Sequence, residues 1–347
     1  MHLILVINTG STSIRLALYR GADREAEKSF SFAGVSDSRR TDLVVSRAEE
    51  FLEENGFSVG DLDAVSVRGG ILRPLKGGVY RVNRAMLADL EDEKRGRHPS
   101  NLSALAGNEL ASGKVELFVV DPPVTDEMEE EARITGIPGI ARRSIFHALS
   151  QKEAARRVAA ALGGNYEDLN IIVIHMGGGI SVGAHRGGRV VDVNNALDGD
   201  GPIAPERAGA VPAGELADMC FSGRYTRDEI GRMFTGEGGI RAYLGTRDMK
   251  EVERMIQDGD KMAIKTVNAM AYSIARETGA LVPALGGSVD GIAVTGGAAE
   301  WGRLVELVVS RINFIARVFV YPGSLEMDAL AGGALRVLSG REEALEY

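Results

Sequence analysis

One arrangement occurs twice along the chain: a buried apolar strand, a loop of small residues, and then two further strands. The first copy has its apolar strand at Leu3–Ile7 and its loop at Asn8–Ser13. The second copy has its strand at Ile171–Ile174 and its loop at His175–Gly179. A short, continuous apolar run is typical of a strand that is covered on both faces, as in an α/β sheet. The repeat therefore predicts two α/β domains of related layout.

Charge and cysteine content exclude several classes of protein. The formal net charge is -9, which disfavours wide non-specific binding to nucleic acid. The single cysteine, Cys220, rules out an internal disulfide framework, and we expect it to be a small core residue on a helix. The N-terminus is apolar for only a few residues, and no later apolar run reaches about 18 residues. We therefore expect a cytoplasmic protein with no membrane and no nucleic acid partner.

Hydrophobic periodicity places the other elements. In the first half it predicts strands at Ile14–Tyr19, Lys28–Ala33, Ala64–Val67 and Val115–Val120, and a helix at Thr41–Asn55. In the second half it predicts strands at Ile180–His185, Arg189–Val193, Asp290–Val294 and Arg317–Tyr321. It predicts helices at Ser144–Leu162, Gly214–Phe221, Thr226–Phe234, Met249–Gln257, Lys261–Leu281, Glu300–Ile315 and Leu325–Leu338.

Glycine loops at strand ends point to phosphate binding. Besides Asn8–Ser13 and His175–Gly179, two strands run into Arg68-Gly69-Gly70 and Thr295-Gly296-Gly297. Small residues let main-chain N–H groups converge on an anion without obstruction by side chains. One such loop is often only a tight turn, whereas four in one chain favour a nucleotide site. None fits the P-loop or the dinucleotide-binding pattern, so this would be a nucleotide cleft of a different kind.

Charged side chains near these loops suit phosphoryl transfer. Arg68 and Arg207 are candidates to clamp the transferred group, because a guanidinium fork matches phosphoryl oxygens. Asp121 and Glu326 are candidates to hold Mg²⁺, mostly through water. His175 stands at the mouth of the triple-glycine loop, whereas His147, within a predicted helix, could equally be structural.

The charge pattern also suggests the kind of acceptor. Kinases that act on alcohols generally use a carboxylate base to remove the hydroxyl proton. A carboxylic acid has a pKa of roughly 4 and is ionised at neutral pH, so it needs positive charge and hydrogen-bond donors rather than a base. Arg68, Arg207, His147 and His175 fit that task, although Asp121 or Asp198 could in principle act as a base.

Several stretches resemble the butyrate kinases of the acetokinase family, in the actin-like ATPase and sugar kinase superfamily. The resemblance covers nearly the whole chain. It is most specific in Ile7–Ser13, His98–Leu102, Phe146–Leu149, His175–His185, Asp192–Gly199, Ala242–Thr246 and Tyr321–Gly323.

The resemblance implies an α/β fold of two actin-like (ribonuclease H-like) domains, with mixed sheets flanked by helices and an interdomain nucleotide cleft. We expect residues 1–122 with 328–347 to form the N-terminal domain and residues 123–327 the C-terminal, nucleotide-binding domain. The family assembles as a homodimer or a larger homo-oligomer. It catalyses a reversible reaction in which an acyl phosphate and ADP give a carboxylate and ATP, with Mg²⁺.

Residue roles follow from the same resemblance. The first phosphate loop would comprise Asn8, Gly10, Ser11, Ser13 and Arg15. The second would comprise His175, Gly177, Gly178 and Gly179. Gly296 and Gly297 would lie beneath the nucleotide, and Asp121 and Glu326 would organise Mg²⁺. Arg68, His147 and Arg207 would be catalytic, with His147 stabilising the in-line transition state.

Three alternatives remain at the level of sequence. An acetate or propionate kinase would share these motifs and differ in pocket size. A non-catalytic, actin-like nucleotide switch would keep the glycine loops but could lose Arg68, His147 or Arg207, all of which are present. An acyl-phosphate hydrolase would have to admit water to the closed cleft. We expect the preferred acid to be butanoate or a branched-chain analogue.

Overall fold

A computed structural model describes residues 1–36, 39–96 and 98–347. It divides into two compact units. Unit 1 consists of Met1–Asp126 with Leu325–Tyr347, and unit 2 consists of Glu127–Ser324. Each unit contains one mixed sheet with helices packed on it, which confirms the predicted α/β class. Over the described ranges, no helix combines the length and apolar character that crossing a membrane requires.

Unit 1 contains a seven-stranded sheet in the order β12-β5-β6-β4-β1-β2-β3. Its strands are β1 Leu3–Thr9, β2 Ser13–Arg20, β3 Asp23–Ser31, β4 Ala64–Val67, β5 Val79–Arg81, β6 Glu116–Val120 and β12 Leu345–Glu346. Its helices are α1 Arg40–Glu54, α2 Arg84–Glu91, α3 Asn101–Ala111 and α12 Glu326–Leu338.

Strand β1 lies inside the sheet of unit 1, between β4 and β2, and all seven of its residues are buried. It runs antiparallel to β2 and parallel to β4. Leu3, Leu5 and Ile7 join the core formed with α1 and α3. Because side chains alternate across a strand, the intervening residues face the opposite side, where α12 packs against β1, β4 and β6. Helices on both faces explain the uninterrupted apolar run.

Unit 2 contains a five-stranded sheet in the order β11-β10-β7-β8-β9. Its strands are β7 Ile171–Met176, β8 Ile180–Arg186, β9 Arg189–Val193, β10 Gly291–Gly296 and β11 Val318–Pro322. Its helices are α4 Glu130–Arg133, α5 Ala148–Leu162, α6 Ala213–Phe221, α7 Arg227–Thr235, α8 Gly239–Leu244, α9 Met249–Gln257, α10 Lys261–Ala280 and α11 Gly302–Ile312. Its core lies between the sheet and helices α10 and α11, while α5 packs on β7 and β10.

The two sheets share one layout. In unit 1, β1 is antiparallel to β2 and parallel to β4, and β2 is antiparallel to β3. In unit 2, β7 stands in the same relation to β8 and β10, and β8 to β9. An irregularity interrupts the outer hairpin of each, between Leu18 and Tyr19 and between Ala184 and His185. This topology accounts for the repeated pattern in the sequence.

Some predicted elements differ from the structure. The third strand spans Asp23–Ser31 rather than Lys28–Ala33, because this solvent-facing edge strand carries charged residues and shows little apolar pattern. Helix α5 begins at Ala148, so His147 precedes the helix instead of lying inside it. Cys220 is exposed, and the prediction of a core residue is wrong because none of the residues of α6 is buried. The periodicity missed β5, β12, α2, α3, α4 and α8.

Candidate active site

The triple-glycine loop of unit 2 joins β7 to β8. Gly177 N donates to Gly179 O at 3.0 Å, which closes a tight turn between the two strands. A Cβ atom on Gly179 would lie 1.9 Å from Arg207 Nη1 and 2.7 Å from Ala196 O. Only glycine at this position therefore lets the Arg207 guanidinium pack directly on the main chain of the loop.

Arg207 is a partly buried cation at this loop. Its Nη1 donates to Ala196 O, whereas its buried Nε has no hydrogen-bond partner within the described part of the chain. Burial lowers the pKa of the guanidinium from its ordinary value, and the nearby Glu206 carboxylate offsets part of that shift. An arginine nevertheless stays protonated in proteins. A desolvated guanidinium with an unused N–H is costly unless an anion binds beside it.

Two histidines lie against the same loop. The rings of His147 and His175 stack with their centroids 4.0 Å apart and their planes 16° from parallel. His147 occupies the residue before α5, with φ −87° and ψ 64°, and its Nδ1 lies 2.9 Å from Ser181 Oγ. His175 is one of the last residues of β7 and is buried. The structure thus brings His147, His175 and Arg207 together around Gly177–Gly179.

The two glycines at the end of β10 have different environments. Gly296 adopts φ +96°, and a Cβ there would lie 2.4 Å from Met176 O. Its main chain also exchanges two hydrogen bonds of 3.1 Å with Gly323. A Cβ atom on Gly297 would meet none of the described atoms within 4 Å, and this residue faces a cavity. Gly296 is therefore required by the backbone itself, and Gly297 borders open space.

That cavity has a volume of about 710 Å³ and lies within unit 2. It is lined by Gly177, Gly178, Pro205, Glu206, Arg247, Asp248, Met249, Lys250, Glu253, Gly297, Ala298, Glu300 and Trp301. Trp301 Nε1 donates to Glu253 Oε2 at 2.8 Å, which holds the indole in place on its wall. A volume of this size is typical of small-molecule and cofactor sites. The glycine loop and Gly297 therefore border a space large enough for a nucleotide.

In unit 1, the ends of β1 and β4 meet at one carboxylate. Asn8 Nδ2 donates to Glu326 Oε2 at 2.8 Å, and Arg68 Nη1 lies 3.2 Å from Glu326 Oε1. Residues 99–103 contact the ends of both strands. Ser103 Oγ donates to Arg68 O, and Thr9 Oγ1 donates to Pro99 O at 2.9 Å. The structure thus brings Asn8, Arg68 and Glu326 together.

The remaining predicted residues of the first loop are arranged differently. Gly10 N donates to Ser13 O at 2.9 Å, so the loop closes on itself, and Ser11 is exposed. A Cβ on Gly10 would be no closer than 3.8 Å to any described neighbour. The Arg15 side chain pairs with Glu27 on β3, with 2.5 Å between Arg15 Nη2 and Glu27 Oε1. Arg15 is therefore engaged along the sheet in this structure.

Asp121 and Glu326 are the residues predicted to hold Mg²⁺. Asp121 follows β6 with φ +38° and is buried, and its Oδ1 accepts a hydrogen bond of 2.8 Å from Gly78 N. In the described ranges, no group of three or more His, Cys, Asp or Glu is arranged to hold a metal ion. Mg²⁺ usually takes one or two carboxylates, often through water, with substrate phosphates completing its octahedron. The carboxylate oxygens of Asp121 and Glu326 are donors of that kind.

Sequence reasoning assigned no role to Ser181, Gln151, Asn101 or Ser103. Gln151 is fully buried, and its Nε2 donates to Ser181 Oγ at 2.7 Å. Asn101 Oδ1 accepts from Ile71 N at 2.9 Å and lies where a side chain on Gly70 would be. A glutamine one helical turn after His147 and the polar run after His98 were the available signals.

Comparison with known proteins points to the same family as the sequence motifs. A sequence model described as the Acetokinase family matches residues 112–318. Acetate kinase from Porphyromonas gingivalis has a similar structure, with 20% identity, a TM-score of 0.79, and coverage of 97% of this chain and 100% of that one. Propionate kinase from Francisella tularensis is 17% identical, with a TM-score of 0.78 and coverage of 95% of this chain and 98% of that one. A ROK hexokinase from Thermus thermophilus is 15% identical, with a TM-score of 0.55 and coverage of 98% of this chain and 100% of that one.

At these identities the structural matches establish the fold, whereas the family match spans more than half of the chain. The site in unit 2 also has the cationic and glycine-rich character that phosphoryl transfer requires. The chain therefore belongs to the acetokinase family of ATP-dependent phosphotransferases with a carboxyl group as acceptor.

Proposed function

We propose that the protein transfers a phosphoryl group reversibly between ATP and a short-chain fatty acid, with butanoate or a branched-chain analogue as the preferred acid. One observation carries the proposal. The partly buried Arg207 guanidinium rests on Gly179, in the loop that His175 of the stacked His147–His175 pair also contacts, and its buried Nε–H is used by no described residue. This cluster offers the positive charge and hydrogen-bond donors that suit two anionic reactants.

The chemistry follows from that donor set. One carboxylate oxygen forms a bond to the γ-phosphorus while the bond from that phosphorus to the terminal oxygen of ADP breaks. No proton moves, because the acceptor is already ionised at neutral pH. Arg207 would hold the equatorial oxygens of the transferred group, and His147 would donate to one of them. Asn8, Arg68 and Glu326 would serve the same reaction from unit 1.

The nucleotide would use the 710 Å³ cavity of unit 2, with its phosphates at Gly177–Gly179 and over Gly297. Gly297 supports this placement because it borders the cavity and has no described neighbour that requires it to be glycine. When bound, Mg²⁺ would neutralise charge on the phosphates. Asp121 and Glu326 are the residues we propose to hold it, through water.

The preference for a four-carbon acid rests on the stretches His98–Leu102 and Ala242–Thr246, which resemble butyrate kinases. Acetate and propionate kinases are the nearest competing assignment, since the similar structures include both. One methylene group changes binding in an apolar pocket by only about 1–3 kcal/mol. The substrate ranges of such enzymes are therefore expected to overlap, and only relative kcat/KM values distinguish them.

The test is trapping of acyl phosphate as hydroxamate, with ATP and Mg²⁺, across acetate, propanoate, butanoate, 2-methylpropanoate and pentanoate. We expect kcat/KM to be highest for butanoate or 2-methylpropanoate. The Arg207→Ala variant is the matched blank for non-enzymatic product. Highest kcat/KM with acetate or propanoate would overturn the chain-length assignment. Absence of hydroxamate with every acid, from protein that binds ATP, would overturn the activity and favour a nucleotide-binding switch.

A further inference from the structure

We propose that Gln151 and Ser181 are positioning residues that hold His147 in the tautomer protonated on Nε2, so that its ring presents an N–H donor to the transferred phosphoryl group. The inference rests on the proposed function, which gives His147 that role. It concerns a chain of buried hydrogen bonds that runs from Tyr166 through His185 and Gln151 to Ser181 and His147.

The orientation of the Gln151 amide is set by an acceptor that cannot donate. Gln151 Nε2 lies 3.1 Å from the main-chain oxygen of Ser181 and 2.7 Å from its Oγ. A carbonyl oxygen only accepts, so the NH₂ end of the amide must face it. A flipped amide would place two carbonyl oxygens against each other in a fully buried site. Gln151 Oε1 therefore faces His185 Nε2, at 3.1 Å, and that nitrogen carries a proton.

The far end of the chain is consistent with this direction. His185 is fully buried, and burial lowers its pKa well below the ordinary value, with further lowering by Lys152 and Arg156. Its ring is therefore neutral at physiological pH. Because Nε2 carries the proton, Nδ1 is an acceptor, and the Tyr166 hydroxyl donates to it at 2.7 Å. Each member between Tyr166 and Ser181 has a partner that matches its role, as a stable buried network requires.

The hydrogen bonds of Ser181 determine which ring nitrogen of His147 carries the proton. The hydrogen-bond partners of Ser181 Oγ are Gln151 Nε2 and His147 Nδ1. Since the amide nitrogen donates to this oxygen, the hydroxyl proton points to His147 Nδ1, 2.9 Å away. A neutral imidazole that accepts at Nδ1 carries its proton on Nε2.

Two contacts then define the direction of that N–H. The stack on His175 fixes the plane of the His147 ring, and the hydrogen bond to Ser181 fixes its rotation within the plane. The other tautomer would turn a lone pair of Nε2 toward an anionic phosphoryl oxygen and repel it. Loss of Ser181 or Gln151 would leave the stack on His175 but let both tautomers of His147 form.

The experiment is ¹⁵N NMR of the full-length protein labelled at its five histidines, with His147→Ala used to assign the His147 signals. At neutral pH we expect a proton on Nε2 and none on Nδ1. In Ser181→Ala and Gln151→Leu we expect a mixture of tautomers. We also expect kcat to fall about tenfold, the effect of one hydrogen bond, while KM for ATP and for the carboxylate changes less than about twofold.

Thr278→Val is the control, since it removes another fully buried hydroxyl of unit 2, which donates to Ile274 O at 2.9 Å. It should change neither the tautomer nor kcat. A Gln151→Glu variant adds a second reading if the others fold poorly. In this fully buried site the new carboxyl group would keep its proton and donate it to the main-chain oxygen of Ser181, so the donor to Ser181 Oγ would be lost and we expect a mixture of His147 tautomers.

A proton on Nδ1 in the wild-type protein, or an unchanged tautomer in Ser181→Ala and Gln151→Leu, would overturn the inference. Such a result together with an inactive His147→Ala variant would leave the proposed function standing. The predicted tautomer with full turnover in His147→Ala would instead remove His147 from the proposed function, while the role of Gln151 and Ser181 in setting the tautomer would remain.

Discussion

The loop that follows the first strand of the repeated layout has different contacts in the two units. In unit 1, Asn8 reaches across to Glu326, and Gly10 has room for a side chain. In unit 2, the equivalent strand end carries His175, and Gly179 leaves no room because Arg207 fills the space. The sheets share one topology and a main-chain hydrogen bond closes each loop, yet only the loop of unit 2 has a guanidinium packed directly on its glycine. Two sheets of the same topology can therefore carry loops of different sequence and different packing at equivalent strand ends.

The largest effect should come from removing one of the two arginines, Arg68 of unit 1 or Arg207 of unit 2. We expect Arg207→Ala and Arg68→Ala each to lower kcat by at least about 100-fold, because each removes charge stabilisation from the transferred group. Steady-state assays of hydroxamate formation measure this. Arg24→Ala, which removes a half-exposed arginine at the β3 edge, is the control. Near-normal turnover in Arg68→Ala would confine the catalytic charge to unit 2.

The glycines test the comparison directly. Gly179→Ala should destabilise the protein by about 1–3 kcal/mol through overpacking and should also reduce kcat, because Arg207 must move. Gly10→Ala should change the free energy of unfolding by less than about 0.5 kcal/mol, since its nearest neighbour would be 3.8 Å away. Denaturant unfolding of both variants gives these values. Equal destabilisation would contradict the difference between the loops.

The two glycines at the end of β10 allow two effects to be tested separately. The backbone requires glycine at Gly296, whereas Gly297 borders the cavity proposed for the nucleotide. Gly296→Ala should lower stability, because its φ of +96° and the contact with Met176 O exclude a side chain. Gly297→Ala should leave stability unchanged and raise the KM for ATP severalfold, because a methyl group would enter the cavity. Thermal unfolding and initial rates measure both. An unchanged KM in Gly297→Ala would move the nucleotide away from this residue.

The smallest effect is a pH dependence of stability. Burial lowers the pKa of His185 in the folded state, so the unfolded chain binds this proton more tightly. The free energy of unfolding should therefore fall as pH drops below about 6.5, by at most about 1.4 kcal/mol per pH unit from this group. His185→Gln should flatten the slope between pH 5 and 7. An identical slope in the variant would show that other groups dominate.

Sequence patterns predicted the strands that are covered on both faces well, but they missed the largely buried helix α3 and misplaced the exposed strand β3. The apolar runs of β1, β4, β7 and β10 identified the strands, since strands covered on both faces leave a continuous signal. The edge strand β3 was placed incorrectly because charged side chains cover its exposed face. The two short elements β5 and α8 were missed because so few residues carry no period.

The candidate site shows the same division. Strand ends predicted Arg68 and His175, and an irregular loop predicted Arg207; in the structure, His175 and Arg207 both lie against the Gly177–Gly179 loop. The Ser181–Gln151 link to His147 was not predictable, because it depends on which buried polar atoms meet across β8 and α5. The contact of Arg15 with Glu27 on the neighbouring strand was likewise not predictable from the sequence.

The most direct test of the whole account is the reverse reaction, followed by ³¹P NMR with butanoyl phosphate, ADP and Mg²⁺. We expect the acyl phosphate signal to decay as the γ-phosphate signal of ATP grows, one for one. We also expect Arg207→Ala to slow both changes at least about 100-fold. Release of inorganic phosphate without formation of ATP would show a hydrolase and contradict phosphoryl transfer to a bound nucleotide.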